Sequence, residues 1–209
     1  MLTADKLGRI IVLNGVPRSG KTSIARVIQD QFNGVWMNPG VDTFMGMTPE
    51  KYQPGIGLRP GGELPGLEGI AAASYRALYM TAVAFSRSGI NSVIDAGHHE
   101  GFSVPLGILT KCAEIVEGLP AMLAGIRCPV EVIMERRIAT WKKGFSEDGS
   151  IPAAVLRWQE AVHQPGLYDV EVDTSILKPW ECADIIHERL EQGEPFTAFE
   201  EILTMKKME

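Results

Sequence analysis

The feature that most constrains this chain is the run Gly15-Val16-Pro17-Arg18-Ser19-Gly20-Lys21-Thr22, which has the spacing G-x-x-x-x-G-K-[ST]. Residues 9–14 before it form a short apolar run that is typical of a buried parallel strand. Residues 23–32 after it carry apolar side chains at helical spacing. Because a strand, a glycine-rich loop and a helix in this order are the setting that the motif requires, we interpret residues 15–22 as a phosphate-binding loop.

Each residue type in this loop has a chemical reason. Successive backbone N–H groups of the loop and of the helix start, as far as Ser23, form a concave nest for phosphate oxygens. Gly15 and Gly20 permit backbone dihedral angles and close approaches that a Cβ atom would block. Lys21 supplies a positive charge to the β- and γ-phosphates, and the hydroxyl of Thr22 can ligate Mg²⁺. The loop therefore predicts binding of ATP together with Mg²⁺.

Length, charge and cysteine content narrow the class of protein. The 209 residues are enough for one substantial core, and we expect a single α/β domain over residues 1–209. The net charge of −6 argues against nucleic acid as the main partner. No apolar stretch reaches the roughly 18 residues of a membrane-spanning helix, so no membrane partner is expected. Cys112, Cys128 and Cys182 are odd in number and lack metal-ligand spacing, which favours free thiols in a reducing cytoplasm.

Apolar runs alternate with helical patterns along the chain. Strands are predicted at residues 9–14, 34–38, 91–95, 121–127 and 168–172. This alternation predicts a doubly wound, five-stranded parallel sheet flanked by helices, the fold of phosphate-loop NTPases. Ligands bind such sheets at the carboxyl ends of the strands. The phosphate-binding loop, Asp42, Asp95, Arg127 and the loop after Val172 all fall at that edge, so we expect one active site there.

The remaining segments carry further expectations. Helices are predicted over residues 68–88, 104–118, 129–143, 152–162 and 179–192. Residues 48–68 read as a long structureless connection, either a loop of the acceptor site or an insertion. The tail, residues 193–209, places Phe196, Phe199, Ile202 and Leu203 on one helical face. That face could cover the core or hold a second copy of the chain as a homo-oligomer.

Two aspartates are candidates for chemistry. Asp95 ends an apolar strand, where phosphate-loop enzymes place a carboxylate that binds Mg²⁺; the alternative is a cap of the following turn. Asp42 follows the second strand and could accept the proton of a substrate hydroxyl that attacks the γ-phosphate. Asp42 could instead cap a helix that begins at Thr43, and spacing alone does not decide between these roles.

Basic side chains surround a glycine-bounded loop at residues 144–150. Arginines that close over the transferred phosphoryl group stabilise its negative charge, so residues 136–152 are a candidate lid. Adjacent helix residues diverge by about 100°, so we expect one of Arg136 and Arg137 to face the site and the other to face solvent. Lys142 and Lys143 are more consistent with a solvated face.

His98 and His99 follow the third predicted strand closely. One of them could contact the acceptor or relay a proton. A metal site that combines them with Glu100 is disfavoured because neighbouring loop residues make poor joint ligands. His163 and His187 are more consistent with helix-surface or packing positions.

On these residues the chain resembles chloramphenicol phosphotransferase and its family of small phosphate-loop kinases. The matching segments, in the family order, are residues 11–15 with 19–22, 40–43, 93–95, 125–128 and 168–175. The resemblance implies ATP-dependent phosphorylation of a hydroxyl on a small molecule. It implies that Asp42 is the general base, that Arg136 is a lid arginine, and that Asp173, Thr174 and Ser175 lie near the adenine. Arg127 and Thr174 are then expected at the nucleotide.

The chain departs from the family pattern on the acceptor side. Thr140 and Lys143 stand where further lid arginines are expected, and Lys does not replace the bidentate contacts of Arg. The 48–66 segment is also unusually rich in glycine and proline. The acceptor is therefore open. The alternatives are a kinase for a metabolite or a nucleoside monophosphate, and a regulatory nucleotide-binding protein that phosphorylates nothing.

Overall fold

The computed structural model describes residues 6–142, 144–192 and 195–208. Its centre is one sheet of five parallel strands in the spatial order β2-β3-β1-β4-β5. The strands are β1 Ile10–Asn14, β2 Trp36–Met37, β3 Asn91–Ala96, β4 Ala121–Arg127 and β5 Val170–Asp173. The predicted doubly wound, five-stranded parallel sheet is thus confirmed, and β2 is shorter than the predicted strand.

The central strand β1 explains how the core is divided. All of its residues are buried, as expected of a parallel strand covered on both faces. Successive side chains of a strand point to opposite faces. Ile10 and Val12 accordingly pack into one apolar cluster, whereas Ile11 and Leu13 pack into the other. The short run before the glycine-rich loop therefore joins two layers of the core.

Helices cover both faces of the sheet. Helices α3, α4 and α8 pack on the face of Ile10, and α1 and α7 pack on the face of Ile11. The helices are α1 Lys21–Gln31, α2 Val41–Met47, α3 Pro65–Arg87, α4 Ile108–Val116, α5 Val130–Trp141, α6 Ala153–Ala161, α7 Pro179–Glu191 and α8 Ala198–Lys206. None of the helices in the described ranges is long and apolar enough to cross a membrane.

Two helix starts differ from the predicted ones by three residues or more. Helix α3 begins at Pro65, three residues before the predicted start, because proline is well suited to the first turn. Helix α4 begins at Ile108 rather than at residue 104. The Glu100 carboxylate accepts hydrogen bonds from the backbone N–H groups of Leu106, Gly107 and Ile108 and so fixes this start. Glu100 is therefore a structural residue.

The 48–68 connection is more ordered than predicted. It contains 3₁₀ turns at Glu50–Tyr52 and Gly55–Leu58, and it is tied to the rest of the fold. The carboxylate of Glu68 accepts a 2.8 Å hydrogen bond from the backbone N–H of Ser103. The interpretation of this segment as structureless is wrong, because contacts with distant loops replace the missing regular structure.

The C-terminal tail packs on the chain's own core. Ala198, Phe199, Ile202 and Leu203 of α8 are buried in the same cluster as residues of α3 and α4. Phe196 precedes the helix and packs against the opposite cluster, so it does not share the helical face predicted for it. Because this apolar face is covered within one chain, it is not free to hold a second copy.

Candidate functional site

A cavity of about 780 Å³ lies at the carboxyl edge of the sheet, where the sequence places the active site. Its lining includes most of the predicted site residues: Gly15, Val16, Pro17, Arg18, Gly20, Lys21, Thr22, Ser23, Asp42, Asp95, Arg136 and Thr174. Helix α5, helix α6 with the preceding Pro152, and the 3₁₀ turn at Gly55–Leu58 complete its walls. One cavity therefore connects the phosphate-binding loop with the segment predicted to serve the acceptor.

The backbone of the phosphate-binding loop requires its glycines. A Cβ atom on Gly15 would lie 2.5 Å from the carbonyl oxygen of Ile126 in β4, which no side chain tolerates. Gly20 has φ of 98° and caps helix α1 from the left-handed region. The loop can therefore wrap tightly over the sheet edge, with the N-terminus of α1 directed at the cavity.

Lys21 is held in the loop by its own backbone. The Nζ atom donates hydrogen bonds to the carbonyl oxygens of Gly15 at 3.0 Å and Val16 at 2.9 Å. The same atom lies 3.5 Å from Oδ1 of Asp95, and the lysine side chain is buried. These contacts fix the ammonium group at the floor of the cavity, where the phosphates of a nucleotide are expected.

Thr22 and Asp95 meet beside this lysine. The hydroxyl of Thr22 donates a 2.6 Å hydrogen bond to Oδ2 of Asp95. The Asp95 carboxylate thus faces Thr22 and Lys21 and does not cap the following turn. A hydroxyl and a carboxylate are oxygen donors of the kind that Mg²⁺ prefers, so the donor set fits the predicted metal.

Asp42 belongs to the first turn of α2 and is not its cap. The helix begins at Val41 and is capped by Gly40, which has no side chain to donate or accept a bond. The predicted helix start at Thr43, and with it the capping role of Asp42, is wrong. Gly40 packs closely on Asp95, since a Cβ atom there would lie 3.2 Å from Cβ of Asp95. This packing brings the start of α2 against the end of β3.

The Asp42 carboxylate is available for chemistry. Its side chain is exposed to the cavity. Within the described ranges, it has no hydrogen bond or salt bridge to another side chain. A free carboxylate in the first turn of a helix is favoured by the positive end of the helix dipole.

Arg136 connects the candidate lid to the phosphate-binding loop. Its Nη1 atom donates to the carbonyl oxygen of Arg18 at 3.2 Å and to the hydroxyl of Thr174 at 3.0 Å. Its Nη2 atom donates to the carbonyl oxygen of Thr174 at 2.6 Å. The Thr174 hydroxyl in turn donates to the carbonyl oxygen of Ser19 at 2.6 Å. The guanidinium group thus holds α5, the loop and the end of β5 together.

Arg137 lies in the same cavity, contrary to the expected divergence of the two arginines. Both side chains line the cavity and both are half-buried. The guanidinium of Arg137 lies 5.2 Å from the ring centre of Trp141, one turn further along α5. The cavity extends along this side of the helix, so residues 100° apart both reach it.

Two predicted nucleotide contacts lie elsewhere. Arg127 is outside the cavity lining because its guanidinium pairs at 2.5 Å with Glu171 of the neighbouring strand β5. The prediction that Arg127 binds the nucleotide is therefore not supported by its position. Ser19 is fully buried beneath the loop and contributes its carbonyl oxygen to the contact with Thr174.

The two histidines after β3 are also placed away from the acceptor. His98 is buried, and its Nε2 atom lies 2.8 Å from the hydroxyl of Tyr79 on α3. Burial lowers the pKa of His98 to about 3, which keeps the ring neutral. His99 stacks on Phe102, and its Nε2 atom lies 2.8 Å from the carbonyl oxygen of Leu58. The predicted acceptor contact or proton relay by these histidines is not supported by their positions, because both rings are buried and neither lines the cavity.

A buried polar chain crosses beneath the cavity. The side-chain amide of Asn14 donates to the carbonyl oxygen of Val162 at 2.8 Å and to the hydroxyl of Tyr168 at 2.9 Å. Its Oδ1 atom accepts a 2.7 Å bond from the backbone N–H of His98. His163 lies 2.7 Å from the same tyrosine hydroxyl. We call this set, the side chains of Asn14, His163 and Tyr168 with the backbone N–H of His98, the Asn14 link.

Several lining residues escaped the sequence analysis. They are Leu58, Tyr75, Trp141 and Trp158. Leu58 comes from a 3₁₀ turn and the three aromatic residues come from helices. Spacing predicts the helices but not that these side chains face the cavity. Gly97 is close to the ring of Trp158, from which a Cβ atom would be 3.2 Å distant. Gly97 therefore allows close packing at this wall.

Comparison with known proteins agrees with this geometry. A family model described as chloramphenicol phosphotransferase-like protein matches residues 8–191. Two curated proteins from strains of Mycobacterium tuberculosis, provisionally named O-phosphotransferases, are 24% identical over 201 residues, which cover 87% of this chain and 81% of theirs.

Solved structures show the same fold at low sequence identity. A sugar kinase from Janibacter is 20% identical with a TM-score of 0.60, covering 89% of this chain and 96% of its own. The APS kinase of Mycobacterium tuberculosis, in complex with AMPPNP and APS, is 15% identical with a TM-score of 0.60, covering 90% and 99%. With the family model matching most of its length, the chain belongs to the chloramphenicol phosphotransferase-like family and is a phosphotransferase of the small-molecule kinase type.

Proposed function

We propose that this enzyme transfers the γ-phosphoryl group of ATP to a hydroxyl group of a small molecule. One observation carries the proposal: a single cavity holds both the phosphate-binding loop with Lys21 and the free carboxylate of Asp42. A regulatory nucleotide switch needs the first of these features but has no use for a base facing a second ligand. The pairing of the two favours a kinase.

The phosphate-binding side supplies electrostatic stabilisation. The N–H groups of the loop and the helix start receive the β- and γ-phosphates, and Lys21 neutralises part of their charge. Arg136 and Thr174, which already join α5 to the loop, lie where they can hold α5 close to the transferred group. When bound, Mg²⁺ held by Thr22 and Asp95 would offset negative charge on the phosphate oxygens.

The acceptor side supplies the nucleophile and receives its proton. The acceptor oxygen forms a bond to the γ-phosphorus, and the bond from that phosphorus to the β,γ-bridging oxygen breaks. The bonding electron pair leaves with ADP, and the hydroxyl proton passes to the carboxylate of Asp42. The products are ADP and a phosphomonoester. Closure of residues 136–152 over the cavity would exclude water, which competes with the hydroxyl.

The thiols of the chain are consistent with a reducing compartment such as the cytoplasm. Cys112, Cys128 and Cys182 are free and buried. Burial raises the pKa of Cys182 to about 11, which keeps this thiol protonated and unreactive. The cytoplasm also contains the ATP that the reaction consumes, so we propose that the reaction takes place in the cytoplasm.

The proposal is tested with a panel of hydroxyl compounds that includes chloramphenicol. The enzyme is incubated with ATP and Mg²⁺, and mass spectrometry detects acceptors that gain one phosphate. A phosphorylated acceptor whose formation is lost in Asp42→Asn supports the proposal. ATP hydrolysis at equal rates with and without every compound, in both proteins, contradicts it.

A further inference from the structure

The cavity carries more positive charge than a nucleotide requires. Its lining contains five basic side chains, Arg18, Lys21, Arg59, Arg136 and Arg137, and the carboxylates of Asp42 and Asp95. The difference is three positive charges, five minus two. ATP with four negative charges and Mg²⁺ with two positive charges together bring two negative charges. One positive charge therefore remains uncompensated after the nucleotide is bound.

The position of Arg59 identifies where this excess lies. Arg59 follows the 3₁₀ turn at Gly55–Leu58, on the acceptor side of the cavity. The residues on both sides of it are held in place. The Leu58 carbonyl oxygen lies 2.8 Å from Nε2 of His99, and the Pro60 carbonyl oxygen accepts a 2.7 Å bond from Nε of Arg157. The backbone of Arg59 is thus fixed while its side chain is exposed.

Neighbouring arginines differ in whether their charge is matched. Arg157, which packs against the same loop, forms a salt bridge with Glu63. In the described part of the chain, Arg59 and Arg137 have no carboxylate partner. Like charges that converge without a counter-ion are unfavourable, so the absence of a carboxylate partner points to an anion supplied from outside.

Arg137 approaches the same part of the cavity from α5. Its Nε atom is buried and has no hydrogen-bond acceptor among the described residues, and the same is true of Nε of Arg18. Arg59 and Arg18 line the same cavity. The pKa of Arg137 is lowered mainly by burial and further by the positive charges of these two arginines. The Nε atom of Arg137, without an acceptor in the described residues, lies in a cavity that the exposed Arg59 also lines, and such guanidinium groups bind oxygen atoms with negative charge.

The other two cations are already engaged on the nucleotide side. Lys21 is bound to the carbonyl oxygens of the phosphate-binding loop, and Arg136 is bound to Thr174 and to the carbonyl oxygen of Arg18. These two are positioned for the transferred phosphoryl group. Arg18 belongs to the phosphate-binding loop, and its guanidinium lies 3.9 Å from the ring centre of Trp141. Arg59 and Arg137 are then left for the acceptor.

We propose that Arg59 and Arg137 form an oxyanion subsite, and that the acceptor of this kinase is a hydroxyl compound bearing a second, anionic group such as a phosphate, sulfate or carboxylate. The inference rests on the proposed kinase function, since it assumes that the nucleotide occupies the loop side. Planar guanidinium groups match all three oxyanions with paired hydrogen bonds. A neutral acceptor such as chloramphenicol would leave this subsite unfilled.

The test measures binding of sulfate and of acetate to enzyme whose nucleotide side is filled with Mg²⁺ and AMPPNP. Isothermal titration calorimetry is carried out on the wild type, on Arg59→Gln, on Arg137→Gln and on the control Arg76→Gln. Arg76 is exposed on α3 and lies outside the cavity lining. We expect sulfate to bind the wild type and the control with equal affinity. Its affinity for each of the other two variants is expected to be lower by a factor of about 10 at least.

The outcomes separate the two proposals. AMPPNP affinity that is the same in wild type and Arg59→Gln, with sulfate affinity lost in the variant, supports the subsite. Normal AMPPNP binding with no sulfate or acetate binding, or with equal binding in all four proteins, overturns the subsite but leaves the kinase proposal standing. Failure of the wild type to bind AMPPNP overturns both. Preference for sulfate over acetate points to a phosphorylated or sulfated acceptor, and the reverse points to a carboxylate.

Discussion

The two sides of the cavity are built in different ways. On the nucleotide side, side chains already bond to one another: Lys21 to the loop carbonyls, Thr22 to Asp95, and Arg136 to Thr174. On the acceptor side, Asp42 and Arg59 are exposed and have no side-chain partner in the described ranges. The nucleotide side is thus organised before ligand binds, whereas the acceptor side presents groups whose partners must come with the substrate.

This difference assigns charge stabilisation in the chemical step to the nucleotide side and the choice of substrate to the acceptor side. A preorganised site stabilises charge without having to reorganise during the reaction, which suits the phosphoryl group common to all such kinases. Unmatched groups on a fixed backbone reject any acceptor that does not satisfy them, because buried or converging charges left unpaired are costly. We therefore expect changes on the nucleotide side to abolish turnover generally, and changes on the acceptor side to alter which compound is used.

The largest effect is expected on the nucleotide side from Lys21→Met. Loss of a preorganised charge at the transferred phosphoryl group typically lowers turnover by about 10³-fold. Steady-state kinetics with an acceptor that the wild type phosphorylates measures kcat. The control is Lys207→Met, because Lys207 is an exposed lysine after α8. If kcat fell equally in the two variants, or did not fall in Lys21→Met, the nucleotide side would have no role in catalysis.

A smaller effect with a sharper signature is expected from Asp42→Asn. Loss of a general base lowers kcat by about 10²-fold, while the affinity for AMPPNP stays the same because Asp42 does not bind the loop. Asp30→Asn, an exposed aspartate on α1, is the matched control. Unchanged turnover in Asp42→Asn would show that this carboxylate is not the general base. It would then contradict the catalytic role assigned to the acceptor side.

The connection between the sides is tested by Asn14→Ala. Asn14 lies at the end of β1, next to the loop, and binds Val162 at the end of α6. Its removal leaves buried partners in the Asn14 link unsatisfied and is expected to lower the free energy of unfolding by about 2–3 kcal/mol. Urea denaturation measures the change, with the exposed Asn33→Ala as control. A loss no greater than that of the control would show that the link does not stabilise the fold.

The smallest effect is a pH dependence of stability from the histidines of the link. Burial lowers the pKa of His98 to about 3 and that of His163 to about 4, below the ordinary value of 6.5. The unfolded chain therefore binds more protons below pH 6.5, so stability is lost as the pH falls from 6.5 towards 3.

The expected slope is at most about 1.4 kcal/mol per pH unit for each proton taken up. Urea denaturation at several pH values measures it, and His98→Asn is expected to reduce it. His187→Asn is the control, since that ring packs against Phe32 away from the link. The same slope in His98→Asn as in the wild type would show that His98 is not the titrating group.

The nucleotide side could be predicted from sequence because its contacts are local. A fixed spacing in residues 15–22 determines the loop, and Asp95 ends a strand that pairs with β1. The predicted bounds of β4 are also confirmed, because a continuous apolar run is buried on both faces. In these cases, the residues that determine the structure are neighbours in sequence or adjacent in one sheet.

The remaining features depend on contacts that spacing does not show. Arg127 ends a strand at the correct edge, but Glu171 on β5 draws its side chain away. His98 follows β3, but the hydroxyl of Tyr79 from α3 holds its ring in the core. Arg59 is the only arginine of residues 48–66, but its place at the cavity depends on His99 and Arg157, which hold its neighbours in the chain. Each outcome is set by a partner tens of residues distant.

The most direct test of the account is to follow the γ-phosphoryl group itself. Enzyme, Mg²⁺ and γ-labelled ATP are incubated with a small-molecule metabolite extract, and the labelled products are separated for wild type, Asp42→Asn and Asp30→Asn. We predict label in an organic phosphomonoester with wild type and Asp30→Asn, and about 10²-fold less with Asp42→Asn. Label that appears only as inorganic phosphate, equally in all three proteins, would contradict the conclusion that this cavity transfers a phosphoryl group to a hydroxyl.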